Sequence, residues 1–275
     1  MVELIECISE SDKPFLLKTS RGEIAAAHVI HATDAFAAKL VPGLKGKIFP
    51  VRGHMSAQRP GKAFPRNDGA LSWSVVGKND YEYISQRPGL PDAEDGLGAE
   101  IMIGGGATRS DDRGIGEVGQ WGDDEMVHPI GSYLAGTLSL TFSPKTWGED
   151  ADGLRVKSMW TGIMGFTADM MPFIGQLSPK LTKRTVKRSR SKLEAGPQVP
   201  EPSEWICAGF NGSGMVLTWL SGVAVGLMVL GRENVESEGK VGRPDGTVHD
   251  WLPEEFICSP QRIFRSSIYE FPKLL

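Results

Sequence analysis

The stretch from Trp205 to Leu230 constrains this chain more than any other. Trp205-Ile206-Cys207-Ala208-Gly209 is an apolar run closed by a glycine, and Phe210-Asn211-Gly212-Ser213-Gly214-Met215 carries it into a longer apolar stretch. That order reads as a buried strand, a sharp turn and a buried helix. Glycines at 209, 212 and 214 remove Cβ atoms where the backbone must turn and where a ligand would approach the amides of the helix start. Asn211 or Ser213 can cap that helix. Two readings stay open at this point, a ligand loop and a plain strand-to-helix turn. The G-x-S-x-G nucleophile elbow is excluded, because Asn211 and Met215 stand where it needs glycine.

Composition sets the outer limits. The 275 residues carry 30 Lys+Arg against 34 Asp+Glu and are 40% hydrophobic, an ordinary folded chain of one large domain or two small ones. A net charge of −4 leaves no overall basic footprint for nucleic acid. The cysteines, Cys7, Cys207 and Cys258, form no CxxC pair, which argues against a zinc site or a disulfide framework and suits a reducing compartment. No metal is expected. The apolar run Met215 to Leu230 is broken by Thr218, Ser221, Gly222 and Gly226, whereas a bilayer span needs about 20 apolar residues, so no membrane helix is expected. Glu3, Glu6 and Glu10 at the start do not resemble a secretory leader, and the expected location is cytoplasmic.

Along the chain, alternating apolar residues predict strands within 2–30, with Val29 to Thr33 a buried strand and Thr33 or Asp34 capping a short helix through Leu40. Lys47 to Gln58 is a further strand, with Pro50 suggesting an edge position or a kink. Strands follow at Ala70–Val76, Tyr81–Gln86 and Glu100–Ile103, with a polar loop over 87–98. Asp123-Asp124-Glu125 is expected to open a helix toward Phe142. Leu154–Ile163 and Phe173–Gly175 are strands. Residues 178–203, with Lys180, Lys183, Arg184, Lys187, Arg188, Arg190 and Lys192, read as a basic disordered insertion. Residues 233–275 read as a polar C-terminal extension. Gly222 and Gly226, one helical turn apart, read as a site of close packing on a sheet.

Four segments, in order, resemble the flavin-dependent oxidoreductases of the D-amino-acid oxidase type, which include glycine and sarcosine oxidases. They are Val29-Ile30-His31-Ala32-Thr33-Asp34-Ala35, then Ile48-Phe49-Pro50-Val51-Arg52-Gly53-His54. Next come Trp160-Thr161-Gly162 with Thr167-Ala168-Asp169 and Pro172-Phe173-Ile174-Gly175, and last the Gly209–Met215 junction. The resemblance implies an α/β (α+β) two-domain flavoenzyme: a Rossmann-like FAD domain from 1–46 and 154–232, and an antiparallel-sheet substrate domain from 47–153. The family's opening strand–GxGxxG–helix unit has no counterpart here, so the FAD domain is expected to be incomplete, with an open apolar sheet edge.

The resemblance further implies non-covalent FAD, since residues 157–167 hold no cysteine for a tether. It implies oxidation of a C–N bond of a small amine or amino acid by hydride transfer to the flavin. Ala32 and Thr33 would lie near the dinucleotide, and Gly209, Phe210, Asn211, Gly212, Ser213, Gly214 and Met215 along the flavin, with Thr167 and Asp169 shaping a turn beside it. Met164 stands where amino-acid oxidases of the family often carry a carboxylate-binding Arg, which leaves Arg52 or Arg109 to replace it. Arg52, His54, Tyr83 and Met164 are the candidate substrate-pocket residues. The alternative reading is a non-catalytic, truncated remnant of such an enzyme that binds no FAD.

Overall fold

Short alternating stretches punctuated by glycine and proline give strands, and the long apolar run after Gly214 gives the main helix. The computed structural model describes residues 1–8, 11–77, 81–89, 99–186 and 200–269. Its strands are β1 (Val2–Cys7), β2 (Phe15–Thr19), β3 (Gly22–Ala26), β4 (His28–His31), β5 (Ile48–Gln58), β6 (Ser72–Val76), β7 (Tyr81–Gln86), β8 (Ile101–Gly104), β9 (Val156–Thr167), β10 (Phe173–Gln176) and β11 (Ser203–Ala208). Its helices are α1 (His128–Thr141), α2 (Pro144–Trp147), α3 (Pro179–Thr182), α4 (Gly214–Val229), α5 (Val248–Trp251) and α6 (Pro260–Arg265). The chain divides into two units, one of Met1–Pro50 with Met164–Leu274 and one of Val51–Ile163.

In the first unit, β1, β2 and β3 form an antiparallel meander, while a second sheet runs β10-β11-β4. Strand β11 is parallel to β4 and antiparallel to β10. Its alternate residues face two cores, which is why the sequence there is apolar without interruption. Trp205 and Cys207 pack with Phe210, Ala224, Val225 and Met228 of the α4 side. Ile206 and Ala208 pack with Ala37, Val41, Leu44, Ile48 and Phe173. The far edge of β4 has no partner strand among the described residues, and Ile30 on it is 47% exposed. Helix α4 leaves Met215, Val216 and Trp219 exposed, and no helix among the described residues is long and apolar enough to cross a membrane.

The second unit is a sheet of order β6-β7-β8-β5-β9 with α1 against one face. Ile84, Ile101 and Ile103 meet Ile130, Leu134 and Leu138 of α1 there. Pro50 is not at a sheet edge: β5 has neighbours on both sides, and its pairing with β8 covers only Met55 to Gln58, so the missing N–H falls outside that ladder. Helix α1 begins at His128 rather than at Asp123, because Pro129 occupies its first turn, where a missing N–H costs nothing.

Two polar segments behave differently from expectation. The residues of the basic stretch at 187–199 lie outside the described residues, as do 90–98 of the polar loop. The flanks at 178–186 and 200–203 are ordered, with Thr182 buried in α3. Arg184 is not a solvated charge: its guanidinium donates to Glu204 at 2.6 and 2.7 Å and to the Leu40 carbonyl at 2.8 Å. Residues 233–269 are no polar tail either, since Val248, Leu252, Cys258 and Ile263 enter the two cores of the first unit. They are spread over several short elements, so the sequence pattern does not show them as core.

Glu204 itself is buried on β11, and His31 Nε2 lies 2.8 Å from its Oε2. Burial alone would raise the Glu204 carboxyl, but hydrogen bonds from His31 and Arg184 outweigh it and hold it below its usual value of 4.5. Glu204→Gln is expected to cost about 3 kcal/mol in denaturant titrations, because it strands the Arg184 cation. The wild-type contribution is complete above the ordinary glutamate range and is lost as pH falls through the lowered pKa, so the variant should lack that acid limb.

Candidate active site

Strands β4 and β11 are parallel neighbours, with Ile206 opposite His31, so Ala32-Thr33 and Gly209-Phe210 leave the same end of the sheet. The carboxyl ends of adjacent parallel strands are where open α/β sheets hold ligands. Ala32, Thr33, Gly212, Ser213 and Met215 are exposed there, while Gly209 and Phe210 are buried. The sequence reading and the structure agree on a strand, a turn and α4, and differ on which amides are free.

Asp34 does not cap the short helix at Asp34–Lys39, whose N-cap is Thr33 without a side-chain bond. Its carboxylate instead accepts from Gly209 N at 2.8 Å, Phe210 N at 3.1 Å and Gly165 N at 2.6 Å. Asn211, at a left-handed φ of 54°, provides a second tie. Its Oδ1 accepts from Thr167 N at 2.8 Å, its Nδ2 donates to Gly209 O at 2.6 Å, and its amide donates to Gly165 O at 2.8 Å. Ser213 occupies the N-cap of α4 without a side-chain bond. The amides of Gly212, Gly214 and Met215 have no hydrogen-bond partner among the described residues. Gly209 must lack a Cβ, which would stand 2.7 Å from Thr167 Cγ2 in a backbone with φ of 81°.

The Thr167–Met171 turn is tied from behind. Thr167 Oγ1 donates to Met171 O at 2.9 Å, and Asp169 receives Arg262 Nε at 2.7 Å. Burial would raise the Asp169 carboxyl, but the Arg262 hydrogen bonds and charge hold it below the usual range. Gly222 and Gly226 were expected to pack closely on a sheet. They do not: a Cβ at either would meet nothing within 4 Å among the described residues.

The three pocket candidates of the second unit do not share one face of its sheet. Arg52 and His54 share one face of β5, where Arg52 Nε donates to Glu117 at 2.7 Å and His54 Nε2 lies 3.9 Å from the same carboxylate. His54 is buried and its Nε2 accepts from Val127 N at 3.3 Å. Burial pushes its pKa below 6.5 despite Glu117, and the ring supports the loop before α1 by its bond to Val127. Tyr83 belongs to the opposite face, since it pairs with Gly104, which pairs with Met55, the residue after His54. A Cβ on Gly104 would collide with the Tyr83 ring and Met55 Sδ, so these side chains lie over the glycine on the open face. Burial pushes the Tyr83 hydroxyl up, with the Tyr81 ring 6.3 Å away. Met164 lies in the other unit, where its Sδ is 3.6 Å from a Cβ built on Gly212. Arg109 lies with its guanidinium 4.5 Å from the centre of the Tyr133 ring.

A family profile described as DAO, FAD dependent oxidoreductase, matches residues 3–226. The chain belongs to that family. No curated protein matches it. Among solved structures it is similar to glycine oxidase from Geobacillus kaustophilus, at 20% identity and TM-score 0.54, over 86% of this chain and 49% of that one. It is also similar to iminodiacetate oxidase from Chelativorans sp. BNC1, at 17% identity and TM-score 0.52, over 87% and 51%. L-proline dehydrogenase from P. horikoshii matches at 19% identity and TM-score 0.51, over 94% and 52%. The chain thus spans about half the length of these structures, and at such identities the likeness is one of fold.

Sequence reasoning missed Asp34, Glu117 and Arg262 as organising residues. Asp34 carried a signal only as a candidate cap of the short helix through Leu40, and its amide partners lie instead at Gly165, Gly209 and Phe210. Glu117 and Arg262 lie 65 and 93 positions from their partners and carried none. Arg52→Met should leave the buried Glu117 carboxylate unpaired and lower stability by about 3 kcal/mol. Arg52→Met with Glu117→Leu should recover most of that loss in the same urea titration.

Proposed function

We propose that this chain supplies the flavin side and the substrate sheet of an FAD-dependent oxidoreductase that oxidises a C–N bond of a small amine. Residues 1–46 and 154–232 act as the flavin side, and 47–153 as the substrate domain. The observation that carries this reading is the family match over 3–226, which takes in, near its end, a junction whose outer amides are free. The residues present suit the ring end of FAD. Gly212, Gly214 and Met215 offer donors at the start of α4, and Ala32 and Thr33 are exposed at the same end of the sheet. No other α-helix among the described residues is entered from a strand through glycines. Bound there, FAD would supply a hydride acceptor for the substrate carbon next to nitrogen. The chain's own part is to hold the ring non-covalently, exclude water and orient the substrate.

Of the two substrate classes, the amine is favoured. Met164 cannot pair a carboxylate, Arg52 is committed to Glu117, and Arg109 stacks on Tyr133. Tyr81, Tyr83 and Met55 give the open sheet face an aromatic and thioether surface suited to an apolar or cationic amine.

Purified chain titrated with FAD should develop the absorbance bands of bound flavin. Anaerobic addition of amines should bleach those bands faster than addition of the matching α-amino acids. A chain that stays colourless at saturating FAD would refute the reading and leave the non-catalytic alternative. Faster bleaching by the amino acids would overturn the choice of an amine.

A further inference from the structure

In the second unit, the stretch 118–126 joins two residues that converge on one buried imidazole. Glu117 stands at one end of it, and Val127, the N-cap residue of α1, at the other. Residues 119–126 form no helix or strand, and Asp123, Asp124 and Glu125 on them are exposed. Midway, the Asp123 carbonyl accepts from Thr161 Oγ1 at 2.6 Å. Both ends meet His54: Val127 N donates to Nε2 at 3.3 Å, and Glu117 Oε2 lies 3.9 Å from the same nitrogen. These two partners make incompatible demands. An amide donates only to a ring nitrogen that carries no proton, whereas a carboxylate is served only by one that does. A single proton at Nε2 therefore selects which end of the stretch His54 holds.

We propose that His54 is a pH-operated latch on the stretch 118–126: without a proton its Nε2 holds the Val127 amide at the start of α1, and on taking a proton from solvent it releases that amide and donates to Glu117. The latch lies within the second unit and does not rest on the flavin reading. Two charges face the ring, the Glu117 carboxylate and the Arg52 guanidinium that donates to it at 2.7 Å. Glu82 of β7 lies beyond Gly105, whose amide donates to the His54 carbonyl, and it receives the Tyr133 hydroxyl at 2.8 Å with Arg109 over the Tyr133 ring. His128, next to Val127, is exposed. Burial holds the latched ring below 6.5, with Glu117 opposing and Arg52 assisting. A released, solvated ring titrates in its ordinary range, so the latch stays closed above 6.5 and opening is favoured as pH falls below it.

Hydrogen exchange of the full chain, read at the Val127 amide in nitrogen-15 spectra and corrected for intrinsic exchange chemistry, tests the latch. Protection of Val127 is expected to hold steady above pH 6.5 and to fall about tenfold per pH unit below it, until the latched ring itself titrates. The amides of Ile84 and Ile103, in the core of the same sheet, are expected to keep their protection throughout. His54→Gln offers an acceptor oxygen that takes no proton, and should protect Val127 equally on both sides of pH 6.5. The ring signals of wild-type His54 give a reading independent of any variant: the Nδ1–H tautomer is expected above pH 6.5, with Nε2 gaining its proton below. The proposal is overturned by Val127 protection that ignores pH, by the same fall in His54→Gln, by a parallel fall at Ile84 and Ile103, or by an Nε2–H tautomer at neutral pH.

Discussion

The first unit depends on one carboxylate. Asp34, leaving β4, is the common acceptor for amides at Gly165 near the end of β9 and at Gly209 and Phe210 after β11. Three chain segments far apart in sequence therefore meet at a single charged group. A carboxylate accepting several backbone N–H bonds is among the stronger polar contacts available to a protein, and leaving those amides unpaired would be costly. Gly165 and Gly209 are fixed by the crowding this creates, since a Cβ at either falls under 3 Å from a neighbouring atom. Asn211 extends the tie to Thr167, and Arg262 fastens the following turn from α6. The shape offered to a ligand is what remains after these internal claims are met.

The second unit is organised by parity along β5. His54, Ser56 and Gln58 point to the α1 side and are buried, which is an unusual polar set for a sheet core. Most of their groups are satisfied locally: Gln58 donates to the Leu134 carbonyl at 2.7 Å and His54 accepts from Val127, while Gln58 Oε1 is buried without a partner among the described residues. The opposite face is left to Met55 and the tyrosines of β7. A residue's place one step along a strand thus decides whether it supports the fold or faces a ligand.

Much of the fold was legible because it follows from local pattern. Trp205 to Ala208 announced a strand buried on both faces, and the glycines after it announced the turn into α4. The alternation Tyr81-Glu82-Tyr83-Ile84 marked β7 and placed both tyrosines together. The site was less legible, because its decisive contacts join residues with no common pattern. Arg184 looked like one more charge in a basic run, and only its approach to Glu204 shows it as a buried partner. Arg52 and His54 looked like pocket residues because they follow a family motif, yet Glu117 claims the first and the Val127 amide the second. Gly222 and Gly226 looked like packing glycines and instead border open space.

The sequence by itself determined most strands, the main helix α4, their order and the family, since hydrophobic period, glycine placement and motif order are properties of the chain read locally. It also determined that the junction at 209–215 would turn sharply, because only glycine meets those backbone demands cheaply. Tertiary structure alone decided which amides of that junction stay free and which candidate side chains face outward. Hydrogen bonds across 131 to 176 positions, from Asp34 to Gly165 and to Phe210, depend on where strands end in space. No local pattern encodes that distance, so the charge beneath the junction could be recognised only once the strands were side by side.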